Sequence, residues 1–253
     1  MKKSNLFFDW KTWAAIAIVS SAVLFTSCNK DDDDTNDTSL AGVMAFNLVP
    51  EGKSVGFVSG SRFITSNPMA FNSYTGTYLG VFPGSQTIGA VNFAGGGTLT
   101  SQTFNFETDK YYSIFLVGED PAYEQVIVED KLAPLATTTQ AFVRYINAIP
   151  DASGPTVTVA VNGTNVINEP AVFKAVSEFT AIDPGAVTIT VANGGTISAT
   201  RTITLEKQKV YTILLSGKPG ATGDFAVQIR YIENGSVDGT AGRIGSASIK
   251  AIN

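Results

Sequence analysis

Apolar and polar residues alternate along most of the chain with a period of two. Valine and isoleucine occupy every second position in residues 157–161 and 187–191, with threonine or alanine between them. Successive side chains of a β-strand point to opposite faces, so this pattern predicts strands with one buried face. No segment after Cys28 shows the spacing of an amphipathic helix. The chain is therefore predicted to be all-β.

Glycine, proline and asparagine divide these segments at short intervals. Asn162-Gly163 is typical of a two-residue hairpin, because a type I′ turn needs positive φ at both central residues. Pro184-Gly185, Asn193-Gly194-Gly195 and Asn234-Gly235 are expected to end the strands before them. Many short strands with such turns favour antiparallel β-sandwiches of about seven strands each.

The chain contains an internal repeat. Residues 41–50 match residues 141–150, and residues 110–116 match residues 209–215 in the same order. A unit of this length can bury a core of its own. The repeat therefore predicts two tandem domains, residues 40–139 and 140–253.

A third echo of the repeat lies at the C-terminus. Residues 247–253 resemble the opening strand of both copies. They are interpreted as a strand that completes the second domain, and the start of a third domain is the alternative.

The N-terminus has the three regions of a signal peptide. Lys2, Lys3 and Lys11 supply positive charge, and residues 14–25 are apolar apart from two serines. This apolar stretch is shorter than the roughly 20 residues that a spanning helix needs. Small residues then precede Cys28, the single cysteine of the chain.

Residues 24–28, Leu-Phe-Thr-Ser-Cys, resemble the lipobox of bacterial lipoproteins. The resemblance implies that residues 1–27 are removed and that the Cys28 thiol carries a diacylglyceryl group. Each buried methylene contributes about 0.8 kcal/mol, so two or three acyl chains hold a soluble domain at a membrane. An uncleaved helix with a free cysteine is the alternative.

Residues 28–39 are predicted to form a flexible, acidic tether, because a run of like charges cannot bury apolar area. The tether opens with one lysine and four aspartates, Lys30, Asp31, Asp32, Asp33 and Asp34. This run is similar to the signal that exports some lipoproteins of Gram-negative bacteria to the outer face of the outer membrane. A protein that faces the periplasm is the alternative.

The second copy carries motifs of a known family. They are residues 143–152 (VRYINAIPDA), residues 159–163 (VAVNG), Pro184-Gly185 and residues 209–212 (KVYT). These motifs resemble the bacterial family called domain of unknown function 4397, over nearly all of residues 140–235. The resemblance implies extracytoplasmic, immunoglobulin-like sandwiches and provides no catalytic residues. The first copy departs from the pattern, with Glu51-Gly52 and Ser59-Gly60 in place of the family's pairs.

Composition excludes several classes of function. The chain has no histidine, which removes the commonest general base and most zinc sites. Its formal charge of −5 becomes −7 once residues 1–27 are removed, because they contain three lysines and one aspartate. An acidic chain lacks the basic stripe that binds nucleic acid. We expect no enzyme activity, cofactor, metal or nucleic-acid partner.

Some segments imitate catalytic motifs. Residues 52–56 fit both G-x-S-x-G and the end of a phosphate loop, but these motifs need a following helix, and the first needs a histidine. Glu119-Asp120 and Glu129-Asp130 could serve a glycoside hydrolase only if each pair converged, whereas adjacent strand residues point apart. Asp151 and Asp183 are interpreted as turn formers rather than calcium ligands. A carboxylate-only hydrolase is the weakest alternative.

Two aromatic residues of the first copy are candidates for ligand binding. Phe82 corresponds to Asp183 and Phe93 to Gly194, positions where the second copy accepts solvent. Exposed rings can stack on sugars or fill a partner's pocket; packing between the two domains is the alternative. The other aromatic residues compared between the copies are expected in the interior: Phe71, Tyr78, Phe104, Phe106 and Tyr112.

The sequence thus predicts an outer-membrane or cell-surface lipoprotein, anchored through Cys28, with a non-catalytic role in binding, adhesion or envelope structure. Its expected partners are the membrane and a glycan or an envelope protein. A glycan-binding accessory protein of a polysaccharide-uptake system is an alternative, as is an assembly subunit that presents sheet edges.

Overall fold

The structure is a computed structural model that describes residues 39–132, 139–150 and 154–236. This part of the chain contains seventeen β-strands and one 3-10 turn, Gly223–Phe225, so the all-β prediction is confirmed. Within it, no helix has the length and apolar character that a membrane crossing requires. The predicted signal peptide, Cys28, the aspartates of the tether, Asp151 and residues 247–253 lie outside the described residues.

The first copy forms two sheets from nine strands. The strands are β1 (Ala41–Asn47), β2 (Val55–Ser59), β3 (Arg62–Phe63), β4 (Ser73–Tyr74), β5 (Leu79–Val81), β6 (Gly84–Asn92), β7 (Thr98–Phe106), β8 (Tyr111–Glu119) and β9 (Ala122–Glu129). Inner sheet 1 has the order β4-β1-β8-β9, with β5 also paired to β1, and outer sheet 1 has the order β3-β2-β6-β7.

The second copy repeats this plan with eight strands. They are β10 (Ala141–Asn147), β11 (Thr156–Val161), β12 (Thr164–Pro170), β13 (Thr180–Ile182), β14 (Gly185–Ala192), β15 (Ser198–Leu205), β16 (Lys209–Ser216) and β17 (Gln228–Ser236). Inner sheet 2 has the order β13-β10-β16-β17, and outer sheet 2 has the order β12-β11-β14-β15.

Each copy buries a core between its own two sheets. In the second copy the alternating residues Val157, Val159 and Ile189 are all buried there, as the period-two pattern predicts. In the first copy Phe57 and Ile88 of the outer sheet pack against residues of the inner sheet. The sandwich fold is therefore confirmed for both copies.

A third core joins the two copies. All seven residues of β1 and all seven of β10 are buried, so both strands are covered on both faces. Met44 and Phe46 alternate with the sandwich-facing residues of β1 and pack with Phe142, Ile146 and residues of β16. The inner sheets thus lie face to face, and the four sheets stack in the order outer 1, inner 1, inner 2, outer 2.

Corresponding residues of the two copies meet across the inner sheets. Glu119 at the end of β8 and Lys218 just after β16 occupy equivalent positions and form an ion pair with each other. Contact between equivalent positions is the mark of a twofold relation. The two sandwiches therefore pack as a pseudo-symmetric pair within one compact unit, Ser39–Asn253.

One strand pairing in each copy is parallel, which the sequence does not predict. β1 pairs with β8 and β10 pairs with β16 in parallel register. In the first copy β4 and β5 pair with one side of β1, the chain then forms β6 and β7 of the outer sheet, and β8 pairs with the other side of β1. In the second copy β13 and β16 flank β10 in the same way. The remaining strand pairings are antiparallel in both copies.

The hairpin prediction is confirmed, and one turn prediction is wrong. Asn162 and Gly163 have φ values of 50° and 80° between β11 and β12, as a type I′ turn requires. Asn234-Gly235, however, lies inside β17 and does not end it. Gly235 takes a φ of 141° opposite a register shift in β16, so the strand continues through a bulge.

Candidate functional site

An exposed aromatic face lies on outer sheet 1. The rings of Phe63 and Phe93 have centroids 5.6 Å apart and are 52% and 39% exposed. One edge of the Phe93 ring, Cδ2 and Cε2, lies against Gly56, where a Cβ atom would come within 2.5 Å of the ring. Glycine at position 56 therefore leaves room for this ring edge. We call Gly56, Val58, Phe63 and Phe93 the aromatic face.

The two aromatic residues predicted as ligand-binding do not form one surface. Phe82 is 49% exposed, and the guanidinium of Arg62 lies 5.4 Å from its ring centroid. Arg62 and Phe63 are neighbours in β3, so their side chains point to opposite faces of the strand. Phe82 therefore lies on the side of β3 opposite the aromatic face. Both Phe82 and Phe93 are exposed, so neither packs between the two sandwiches.

The other aromatic predictions hold in part. Tyr78, Phe106 and Tyr112 are buried, as expected. Phe71 and Phe104 are only half-buried. Phe63 is not among the predicted residues. It lies in β3, a strand of two residues, which is too short for alternation to show.

The segment that imitates a catalytic motif belongs to a polar cluster formed by three loop residues and Tyr123 of β9. The Lys53 ammonium contacts Asp120 Oδ2 at 2.9 Å and Glu51 Oε2 at 3.1 Å, and it also donates to the Tyr123 hydroxyl. The Tyr123 hydroxyl donates to Glu51 Oε2 at 2.8 Å. Ser54 is followed by strand β2 and not by a helix. We call Glu51, Lys53, Asp120 and Tyr123 the polar cluster.

Titration in the polar cluster favours its charged pairs. The hydrogen bonds to Tyr123 and Asp120 raise the pKa of Lys53. Burial raises the pKa of Glu51, but hydrogen bonds from the Asp120 amide, Tyr123 and Lys53 outweigh it, and the net pKa is lowered. Lys53 therefore stays protonated at neutral pH and cannot activate Ser54 as a base.

The carboxylate pairs do not converge. Glu129 forms an ion pair with Lys110 at 3.3 Å, whereas Asp130 is completely buried and faces the other copy. Glu119 pairs with Lys218, and Asp120 belongs to the polar cluster. Asp183 accepts a hydrogen bond from the Gln140 amide. Among the residues that the structure describes, no three potential metal ligands lie together.

A buried polar network occupies the junction between the inner sheets. Arg144 Nη1 lies 2.6 Å from Asp130 Oδ1, and the two side chains are 2% and 0% exposed. Tyr78 and Ser113 donate hydroxyl hydrogen bonds to Asp130 Oδ2 at 2.6 and 2.9 Å. Burial and the Asp130 charge raise the pKa of Tyr78 well above its ordinary value.

The Arg144 guanidinium also donates a hydrogen bond to one hydroxyl group in each inner sheet. Arg144 donates to Ser113 Oγ at 2.7 Å and to Thr212 Oγ1 at 3.0 Å. Thr212 in turn donates to Asn234 Oδ1 at 2.7 Å. Ser113 and Thr212 are equivalent in the repeat, so Arg144 bridges the two copies near their pseudo-twofold axis.

Sequence reasoning missed this network, although the repeat contains its signal. Arg144 of the second copy stands where the first copy has Met44. The equivalent residues Tyr112 and Tyr211 pair with Glu129 and Glu233, respectively. The next residues, Asp130 and Asn234, are therefore equivalent as well. One charge of each sign, each present in one copy alone, marks a pair that joins the copies.

Comparison with known proteins agrees with the repeat. The family model described as Domain of unknown function (DUF4397) matches the chain twice, at residues 41–154 and 141–244. The two matches together span most of the chain and include both sandwiches. No curated protein matches the chain.

Proposed function

The chain belongs to the family described as Domain of unknown function (DUF4397), and since that description names no activity, we propose a function from the residues themselves. The protein is a lipid-anchored protein of the outer membrane, displayed at the cell surface, that acts by binding and adhesion and not by catalysis. Its contact surface is the aromatic face of outer sheet 1.

The N-terminal sequence supports the anchor. The apolar stretch 14–25 is followed by small residues and Cys28, and the acidic run Asp31–Asp34 comes directly afterwards. Two or three acyl chains on one cysteine bury enough methylenes to hold the protein at a membrane.

The exposed ring pair is the observation that carries the binding role. Phe63 and Phe93 leave 52% and 39% of their surface to solvent on a sheet face where Gly56 leaves room for the Phe93 ring. Large rings contribute contact area at a small entropy cost, so aromatic residues dominate binding surfaces. The two rings are tilted by 47° to each other, and such an exposed pair can contact an extended polymer such as a polysaccharide.

Proteinase treatment of intact cells tests the location. We expect the wild-type domains to be digested from unbroken cells, and the variant with Asp31–Asp34 changed to asparagine to be acylated yet protected. The Cys28→Ser variant is expected to carry no fatty acid. A native protein that retains residues 1–27 and has no fatty acid would contradict the proposal.

Retention of the mature protein on a panel of insoluble polysaccharides and purified envelope material tests the contact surface. We expect Phe63→Ala and Phe93→Ala each to weaken binding about 30-fold, because a central aromatic contact is worth roughly 2 kcal/mol. The matched control is Tyr231→Ala, which removes a ring that is 37% exposed in the second copy. Retention on no material, or equal loss in the control, would refute this surface.

A further inference from the structure

A cleft of about 370 Å³ opens between the two copies, next to the polar cluster. The first copy contributes Glu51, Lys53, Phe71 and Asn72 to its walls, and the second contributes Phe225 and Arg230. Its volume lies within the range of roughly 300–1,000 Å³ that is usual for small-molecule sites. The cleft is separate from the aromatic face.

Two rings meet across the cleft. The centroids of Phe71 and Phe225 are 5.6 Å apart, and both side chains are half-buried. They provide an apolar wall that can take the carbon face of a ligand ring.

The Asn72 side chain is the unexplained polar group of this cleft. Both its amide nitrogen and its amide oxygen are shielded from solvent and make no hydrogen bond within the described residues. The backbone of Asn72 is held in place, since its backbone N–H donates to the Asn47 carbonyl oxygen at 2.8 Å and its φ is 59°. A buried amide without partners costs free energy. Because Asn72 lines the cleft, a rotation of its side chain toward the cleft would bring the amide to a ligand hydroxyl, which both donates and accepts.

The equivalent place on the other side, called the closed place below, is bridged by an ion pair. Lys174 occupies the matching turn, with φ at 73° and its amide bonded to the Asn147 carbonyl at 2.8 Å. Its ammonium forms an ion pair with Glu124 at 2.9 Å. In the cleft the residue equivalent to Glu124 is Gln228. Val117 and Ser216 are equivalent in the repeat, and they pair with Glu124 and Gln228, respectively.

Gln228 does not close the cleft. Its amide nitrogen donates to the carbonyl oxygens of Asp224 and Ala226, at 2.6 and 3.3 Å. Asp224 and Phe225 belong to residues 218–225, a longer connection than residues 119–121 of the first copy. Each connection lies between an equivalent glycine and an equivalent alanine, Gly217 and Ala226 in the second copy and Gly118 and Ala122 in the first. An insertion thus adds a ring and a carboxylate where the pseudo-symmetric partner has an ion pair.

The charges of the cleft balance. Glu51 and Asp224 are acids, and Lys53 and Arg230 are bases, so neither an anion nor a cation is favoured overall. The walls offer hydrogen-bond donors, acceptors and one amide beside two rings. Hydroxyl groups around an apolar ring face match this set.

We propose that this cleft binds a short neutral glycan. The proposal rests on the proposed role of the chain as a binding protein, but it uses a site that the aromatic face does not share. The ligand would lie against Phe71 and Phe225 and bond to Arg230 and Asn72.

Calorimetry and saturation-transfer NMR with the full mature protein in detergent test the cleft. The probes are maltotriose, cellotriose and mannotriose, with trigalacturonate as the anionic comparator and a neutral tripeptide as the peptide comparator. We expect at least one neutral trisaccharide to bind, and Phe225→Ala and Arg230→Ala each to weaken its binding tenfold or more. Binding of no neutral trisaccharide, or tighter binding of trigalacturonate or the tripeptide, would overturn the proposal.

A variant that closes the cleft gives a second test. Asn72→Lys combined with Gln228→Glu rebuilds the Lys174–Glu124 pair at the open place, and Lys174 shows that lysine accepts this backbone conformation. We expect this variant to fold with an unchanged melting temperature and to lose trisaccharide binding. Undiminished binding by a folded variant would place the ligand elsewhere.

Two controls separate this proposal from the function proposed above. Glu124→Gln removes the ion pair at the closed place and is expected to leave trisaccharide binding unchanged. Tyr231→Ala, which removes an exposed ring of the second copy, is expected to do the same. Loss of binding in these variants would count against the cleft, while failure of the cell-surface tests alone would not.

Discussion

Removing the buried guanidinium should destabilise the whole molecule strongly. Arg144→Met is the matched change, because Met44 occupies the equivalent position of the first copy and a side chain of that shape fits the strand. Asp130 is fully buried and would keep only the Tyr78 and Ser113 hydroxyls, both on Oδ2. Breaking one partner of a buried ion pair costs about 3–5 kcal/mol. We expect a loss of that size in the free energy of unfolding.

The second half of the cycle neutralises Asp130. In Arg144→Met with Asp130→Asn, both copies would carry the same pair of residues, methionine and asparagine, at these positions. The uncompensated charge is then absent, so we expect the double variant to recover about 2–3 kcal/mol relative to the sum of the two single changes.

Urea unfolding followed by circular dichroism measures all four proteins of the cycle. The m-value should stay constant across them, since a shared core predicts that both sandwiches unfold together. Additive single changes, or a cost below about 1 kcal/mol for Arg144→Met, would refute the view that this ion pair holds the two copies together. Two separate transitions in the wild type would refute the shared core itself.

Three further predictions concern titration and backbone geometry. Burial and the Asp130 charge raise the pKa of Tyr78 above its ordinary 10.0. The stabilising effect of the neutral phenol is therefore present below pH 10, and above it the free energy of unfolding should fall by about 1.4 kcal/mol per pH unit. Unfolding of wild type and Tyr78→Phe at alkaline pH checks this, and identical slopes of the free energy of unfolding against pH would contradict it. Gly56→Ala should displace the Phe93 ring and cost about 1–3 kcal/mol, visible in thermal unfolding, and an unchanged melting temperature would show that the ring does not lie on the sheet. Gly163→Ala should lower the free energy of unfolding by about 1 kcal/mol, because Gly163 has a φ of 80°. Gly52→Ala, at a position with open space around it, should lower it less. Equal losses in the two variants would exclude the assigned turn at Gly163.

The sequence predicts the strands and their sandwich well, because period-two alternation records which face of each strand is buried. Val157, Val159 and Ile189 follow this rule. The opening strands differ: residues 41–47 are apolar almost throughout, as expected of a strand covered on both faces. That pattern is readable, but it does not reveal that the second cover is the other copy.

The site was less predictable for physical reasons. An arginine within a strand is ordinarily exposed, and Arg144 is buried only because Asp130 of the other copy is opposite it. Phe225 has no counterpart in the first copy, so comparison of the copies could not assign it. Asn234-Gly235 carries a turn signal, yet a glycine with positive φ also suits a bulge, and the Thr212 hydroxyl keeps Asn234 inside the sheet.

Asp130 is present only in the first copy and Arg144 only in the second, so the two sandwiches cannot replace each other. If two first copies from separate chains met in the same way, each Asp130 would lie opposite a Met44, and in two second copies each Arg144 would lie opposite an Asn234. A buried charge without a partner of opposite sign is strongly disfavoured. Each sandwich therefore recognises its neighbour on the same chain in preference to its own kind. Where identical chains lie side by side, this selectivity keeps like halves of different molecules from pairing.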